Sequence, residues 1–384
     1  MIQLKKLPIL MVLFLGLIIP FGASLLAQTG FDPTPDYRIS LCDYEQPETT
    51  YQNFDLAVDY HFYDDPLESN EGNINRGNGS GNYDFIYSTT DYSYNISSNF
   101  NLSISDSSVD YDAYGTGRYN LYITPSNFFA FGGASVDVSD NFSELAGVRV
   151  STGTGYGRFK NVTPLVRSAL IDQMLVERGA ISANLPEEIV KRMGELIGGM
   201  GPETEVETIV DEIVSIIESE MASEENDLGA VETLRIREII EKGLRPSLCG
   251  WEVRGGLSYE ILDPQGEERD ILLNAAARYA RPFTPYSQLV LEADLSSTFE
   301  INYAVNGLAN YTYRFSENFD ADFQYLYYYQ QGKLDYFYQQ SFTATGEIQL
   351  RQNLGMSVTL GLSDSTSFEE MAKEITVGFS FNLI

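Results

Sequence analysis

His61 is the only histidine in 384 residues, so a Ser-His-Asp site could be assembled around that side chain alone, and no G-x-S-x-G elbow is present. With two cysteines, Cys42 and Cys249, zinc sites built from Cys and His are excluded by composition. One grouping could activate water. Asp59-Tyr60-His61 and Asp110-Tyr111-Asp112 each set a carboxylate near the end of an alternating segment, and a carboxylate beside an imidazole can orient it as a general base. The plain alternative is that these are polar residues at loop edges. Residues 64–81 are rich in Asp, Glu, Asn and Gly, whose oxygens could wrap Ca²⁺, but the D-x-[DN]-x-[DN]-G frame is missing. No metal site, cofactor or catalytic residue is assigned from this set.

The elements that would hold such residues are read from composition and periodicity. Against 24 Lys+Arg stand 55 Asp+Glu, a formal charge of -31, which disfavours a nucleic-acid partner. The 26 Tyr and 22 Phe supply more buriable surface than disordered chains carry. Residues 1–27 pair Lys5 and Lys6 with the apolar run LPILMVLFLGLIIPFG and small residues before Gln28, the pattern of a cleaved signal peptide. An uncleaved anchor is the alternative, disfavoured by the short run and Pro20. Export to an oxidising compartment makes a Cys42–Cys249 disulfide the economical expectation, with two free thiols as the alternative.

Residues 51–156 and 250–384 alternate with period two, which sets the two barrel parts at 51–160 and 249–384. In 301–315, Ile301, Tyr303, Val305, Ala309, Tyr311, Tyr313 and Phe315 share one face, while Asn302, Asn306, Asn310, Thr312 and Arg314 share the other. The same alternation in 251–261 sets Trp251, Val253, Leu257, Tyr259 and Ile261 against Glu252, Arg254, Ser258 and Glu260. About fourteen such segments are predicted, with a range of 12–16, most of them 10–14 residues long. That length suits a tilted crossing of a bilayer. The expected fold is an all-β transmembrane barrel of antiparallel strands, with its apolar face on lipid, its polar face on the lumen and aromatics near the strand ends. A secreted β-sandwich or solenoid is the alternative. Turns are placed at 97–99, 124–127, 282–287, 316–319 and 351–353, and long loops at 64–81, 263–270 and 363–372. With the N-terminus in the periplasm, the turns are periplasmic.

Between the two alternating parts, residues 161–248 take up helical spacing. Thr163-Pro164, Pro186, Val206 to Ile217 and Leu228 to Ile240 mark four short amphipathic helices, an inserted bundle expected in the periplasm. It carries 18 Asp+Glu against 8 Lys+Arg. Either this is an ordinary solvated surface, or the bundle docks a periplasmic protein or peptidoglycan. The segment 28–50 is a candidate plug for the lumen. The lumen is expected to be lined by Glu252, Arg254, Arg278, Glu292, Asp294, Arg314, Asp322 and Glu347.

At the C-terminus, TVGFSFNLI places Thr376, Gly378, Phe381 and Leu383 in an order that resembles the signal by which Gram-negative outer-membrane β-barrels are recognised by their assembly machinery, departing from it in the final Ile384. That resemblance implies outer-membrane lipid and the barrel assembly machinery as partners. GYGRFKNVTP (155–164) resembles, more loosely, the strand end leading into helices in uncharacterised barrels with a helical insert. The Asp59/His61 and Asp110/Asp112 pairs resemble the omptin proteases, which set an Asp-His and an Asp-Asp pair on opposite barrel walls; the strand count here is larger. The leading expectation is a channel for small solutes. The alternatives are a non-conducting anchor whose insert docks a partner and, remotely, an omptin-like surface hydrolase.

Overall fold

The computed structural model describes residues 39–384 apart from 44–47, 64–73, 106–107, 124–125, 145, 201–203, 221–227, 242–245, 264–270, 299–301, 317–318, 333–335, 352–353, 367–370 and 382–384. The signal segment 1–27, residues 28–38 and Leu383 therefore lie outside the described residues. Leu41–Ile384 form one compact body.

Fourteen strands pair antiparallel with their chain neighbours in one sheet, ordered as in the chain. They are β1 (Glu48–Tyr63), β2 (Ile74–Thr89), β3 (Tyr92–Ser105), β4 (Ser108–Tyr122), β5 (Phe128–Ser139), β6 (Gly147–Asn161), β7 (Leu248–Leu262), β8 (Ile271–Thr284), β9 (Ser287–Thr298), β10 (Tyr303–Ser316), β11 (Phe319–Gln331), β12 (Tyr336–Arg351), β13 (Leu354–Ser365) and β14 (Ala372–Phe381). Between β6 and β7 stand four helices, α1 (Thr163–Glu177), α2 (Glu187–Gly198), α3 (Val206–Glu220) and α4 (Ala230–Glu241). At the end of the sheet where the insert leaves, the strand connections span two or five residues; at the other end they run from two to ten.

The sheet is rolled. Two strands stand between β4 and β7, yet the Arg118 guanidinium on β4 reaches the Glu252 carboxylate on β7 at 3.1 Å. On β7 the outer residues Trp251, Val253, Leu257 and Tyr259 are 41–48% exposed, whereas Glu252 and Ser258 between them are 1% and 3% exposed. Phe54, Leu56 and Val58 on β1, Tyr119 and Leu121 on β4, and Ile375 and Val377 on β14 repeat the exposed apolar row. So continuous an apolar surface is far beyond what a water-soluble monomer presents, and its natural solvent is hydrocarbon. Rings gather at the strand ends. At the short-turn end Tyr87 packs on Tyr92 and Tyr94, Tyr92 on Tyr119, and Phe128 on Tyr156 and through it on Trp251. At the loop end Tyr303, Tyr329 and Tyr336 do the same. Such belts match the two interfaces of a bilayer.

The sequence misplaces one hairpin. The expected turn at 97–99 lies inside β3, and 74–81, expected as loop, is the first half of β2. The true turn is Thr90-Asp91, where Thr89 Oγ1 accepts the N–H groups of Asp91 and Tyr92 at 3.3 and 3.0 Å. Residues 75–81, NRGNGSG, read as loop because they lack large apolar side chains. Gly81 instead stands under the ring of Phe100, which would lie 2.2 Å from a Cβ placed there. Covering a strand glycine with a cross-strand aromatic restores the apolar face that the glycine lacks.

Before β1, Leu41–Asp43 form a short 3-10 turn packed on β7 and β8, and the Cys42 and Cys249 sulfurs are bonded with their Cα atoms 5.5 Å apart. Residues 48–50 of the proposed plug segment belong to β1.

The two faces respond differently to charge. Leu257→Arg on the outer face is expected to lower stability by about 2–4 kcal/mol, and Asn306→Arg on the inner face by about 0.5 kcal/mol or less, measured by denaturant unfolding in lipid bilayers. Equal losses would show that the apolar face does not meet lipid.

Candidate lumenal site

Inward residues alternate with the outer row, so neighbouring strands bring their polar side chains together in register. Glu252 on β7 pairs with Arg278 on β8, and Arg278 with Glu292 on β9. Arg254 lies two residues from Glu252 on the same face. Its Nη1 donates to Glu252 Oε1 at 2.9 Å and its Nη2 to Asp294 Oδ1 at 3.3 Å. Arg118 Nη2 donates to the same Glu252 oxygen at 3.1 Å. Arg278 donates to Glu292 through Nε at 2.9 Å and Nη2 at 2.6 Å, and its guanidinium lies 5.1 Å from the Phe159 ring centre. Three arginines thus meet three carboxylates on strands β4 to β9. Burial of such charges is tolerated because each meets an opposite charge through a hydrogen bond, and removing one member leaves the others unpaired.

Beside this network the wall is packed rather than open. Tyr122, Phe129 and Phe131 form a buried cluster on the inner face, with Tyr122 edge-on to Phe129 at 5.5 Å. Their room comes from Gly153, Gly155 and Gly256, where a Cβ would come within 3.0 Å of the Phe129 or Phe131 rings. A recess of 160 Å³ is lined by Asp84, Ser93, Arg118, Tyr122, Glu252 and Arg278, among others. On the β9–β12 wall lies a larger one of 310 Å³, lined by Glu292, Asp294, Asn306, Leu326, Tyr328, Gln339 and Ser341 among others.

Of the residues expected to line the lumen, Glu252, Arg254, Arg278, Glu292 and Asp294 are gathered in the network. Arg314 pairs with Asp320 at 2.9 Å. Asp322 and Glu347 occupy inward positions, with Asp322 opposite Thr345 and Glu347 opposite Asp320. Arg118 was missed. Its signal was present, since Tyr119, Leu121 and Ile123 alternate with Arg118, Asn120 and Tyr122 in the same manner as the later strands. The Asp59 and His61 side chains lie outside the described residues; their backbones face Asn78 and Arg76 in the β1–β2 pairing. Asp112, on β4, accepts from Asn101 at 2.9 Å, and only β2 and β3 stand between β1 and β4. Thr376 and Gly378 lie in β14, and Phe381 ends it.

The insert is built into the same end of the barrel. Asn161, the last residue of β6, accepts the Thr163 N–H at 3.0 Å and its hydroxyl at 2.6 Å through Oδ1, a turn that leads into α1, whose N-cap Val162 makes no side-chain capping bond. Thr163 Oγ1 in turn accepts the Ser247 N–H at 2.8 Å, and Gln288 on β9 accepts from Leu248 at 2.7 Å. The insert extends to β1, which α2 touches. Burial pushes the Arg167 guanidinium of α1 below its ordinary value, opposed by Tyr51 of β1. The helices consequently lie across part of the barrel mouth.

An apolar exterior, a charged interior, aromatic belts and fourteen antiparallel strands define a membrane-spanning β-barrel of the outer-membrane kind, carrying a four-helix insert. The chain matches no protein-family model and no curated protein. Among solved structures it is similar to the TodX monoaromatic hydrocarbon channel deltaS2 mutant (9% identity over 90% of this chain and 92% of that one, TM-score 0.27). It is also similar to the CymD monoaromatic hydrocarbon channel (9% identity, 88% and 89% covered, TM-score 0.26). A third is the translocator domain of the autotransporter NalP from Neisseria meningitidis (6% identity, 89% and 91% covered, TM-score 0.22). The superpositions are loose, and the fold rests on the strand register and on the chemistry of the two faces.

Within the insert, Asp172 is 2% exposed. It accepts the Leu185 N–H at 2.7 Å and the Asn184 amide at 2.9 Å. Burial raises its pKa above the ordinary carboxylate value, against the pull of those two donors. A raised carboxyl pKa means that ionisation opposes folding, so the stability of the insert is expected to fall as pH rises through the folded pKa and to recover on acidification. Asp172→Ala should remove this dependence and cost about 1–3 kcal/mol, read as faster hydrogen exchange across 163–198 after correction for intrinsic rates. A variant with wild-type protection at every pH would contradict it.

Proposed function

We propose that the protein is a channel for small polar solutes in a bacterial outer membrane, with its helical insert on the periplasmic side. The observation that carries this reading is the 310 Å³ recess on the β9–β12 wall, where Glu292, Asp294, Asn306, Gln339 and Ser341 stand beside Leu308 and Leu326. A charged inner wall of this kind supports a hydrated route, since ions crossing it exchange water for fixed polar groups. The signal peptide expected at 1–27 and the C-terminal pattern ending in Phe381 and Leu383 agree with delivery to that membrane.

A second reading is a non-conducting anchor whose insert docks a periplasmic protein or peptidoglycan. Val231 and Leu234, one turn apart on α4, favour it, since each is 54% exposed where a helix of a self-sufficient bundle would be polar. Planar-bilayer recording separates the two. The channel reading expects stable unitary steps from the full mature chain, kept or enlarged when residues 163–241 are replaced by a short linker. Silence of both proteins, together with capture of a partner that is lost on Val231→Asp/Leu234→Asp substitution, would replace it with the anchor reading.

A further inference from the structure

We infer that Glu252 is the charge-compensating residue that fixes the ion preference of the lumen at the level where β4 and β7 meet; this rests on the channel reading. Five strands stand between β2 and β8, yet Asp84 on β2 and Arg278 on β8 line one recess of only 160 Å³. At this level side chains of β4 and β7 meet directly, with Arg118 3.1 Å from Glu252. The network that fills this level also borders the open recess, because Glu292 and Asp294 are members of the network and line the 310 Å³ space as well. Whatever passes along β9–β12 passes beside these charges.

Glu252 has 1% of its side chain exposed, so it does not meet the permeating ion. It acts through Arg118 and Arg254, which both donate to its Oε1, and it stands opposite Arg278 in register. With Glu252 present, Arg118, Arg254 and Arg278 face Glu252, Glu292, Asp294 and, across the 160 Å³ recess, Asp84. Without the Glu252 charge, three guanidinium groups face three carboxylates, and the negative excess at this level is lost. In a confined, partly dehydrated passage that excess favours cations far more effectively than the same charge in bulk water. Glu252 thus carries the cation preference of this level by offsetting the arginines that line it.

The test is the reversal potential of the full mature protein in planar bilayers under a KCl gradient, comparing wild type with Glu252→Gln, Arg118→Gln/Glu252→Gln and Glu347→Gln. Heat-modifiable gel mobility establishes that each barrel is folded. Glu252→Gln keeps the side-chain volume and is expected to move the reversal potential toward that of chloride. The double variant, which removes one charge of each sign, should return it toward wild type. Because the double variant also removes an unmatched arginine, it keeps the comparison open if the single variant folds poorly; a double variant with wild-type selectivity then supports compensation, and one shifted toward potassium overturns it. Glu347 lies on the inner face of β12 outside the network, so its neutralisation should shift the potential less. Steps from wild type with no shift in Glu252→Gln, or an equal shift in Glu347→Gln, overturn the role of Glu252 and leave the channel reading standing. Silence of every folded variant overturns the channel reading and this inference with it.

Discussion

The constraint on which the structure depends is the absence of water in the hydrocarbon layer, where a backbone N–H or C=O without a partner costs several kcal/mol. A rolled antiparallel sheet answers this by pairing each strand from β2 to β13 with both neighbours, and the registers run without interruption through the middle of these strands. The irregularities sit at the ends. Register shifts fall at Val148/Arg149, Pro282/Thr284, Arg314/Ser316 and Gln349/Arg351, each within a few residues of a strand terminus. Gly157 and Gly250, with φ of 114° and 120°, lie at the short-turn ends of β6 and β7. At both positions a Cβ would strike the carbonyl of the facing strand. Bends and bulges are thus kept to depths where water or the helical insert can satisfy what the ladder leaves unpaired.

The same constraint divides the side chains. Charge cannot be carried on the lipid face at mid-depth, so it collects inside, and the inner face must settle it by pairing. Around Glu252 this produces a chain of alternating charges rather than isolated pairs, which satisfies the buried carboxylate from two sides. Such a network is weak evidence for stability, because desolvation of the ions offsets much of their attraction. Its consequence is specificity of shape: Arg118 can reach Glu252 only if β4 and β7 are held at one curvature, and the rings of Phe129 and Phe131 can lie flat only over Gly153, Gly155 and Gly256.

Much of this was legible in the sequence because the period of two is enforced by two different solvents on the two faces of each strand. Wherever one face carried large apolar residues, as in 251–261 and 303–315, the strand, its inward residues and its outward residues were readable. The reading failed where the apolar contribution came from elsewhere. In 75–81 the outer face is glycine, and its cover is supplied by Phe100 and Leu102 of β3, a cross-strand relation that no local pattern contains. Once the first half of β2 was read as loop, the next turn was displaced to 97–99. The pairing of Arg118 with Glu252 was hidden for a related reason: residues 134 apart in sequence are joined by the curvature of the sheet, and curvature leaves no mark on the alternation.

The helical insert shows how local signals can be right about an element and incomplete about its setting. Pro164 and the apolar spacing mark α1 correctly, but ten of its fifteen residues are buried, so it is enclosed on most sides and not on one stripe. A bundle standing free in solvent would leave its first helix a polar face. Here that helix is enclosed because it packs against α2 and α4, while Asn161 and Ser247 tie its start to β6 and the approach to β7 and Arg167 lies near Tyr51 of β1. The Cys42–Cys249 bond closes the same region from the other side, fixing the chain before β1 to the first turn of β7. Helices, disulfide and the Glu252 network therefore lie toward one end of the barrel, while the larger recess lies along β9–β12. That asymmetry is what a wide barrel needs if it is to keep a narrow passage: fourteen strands enclose more space than their own side chains fill, and the surplus is taken up by packed rings, paired charges and a helical cover on one side.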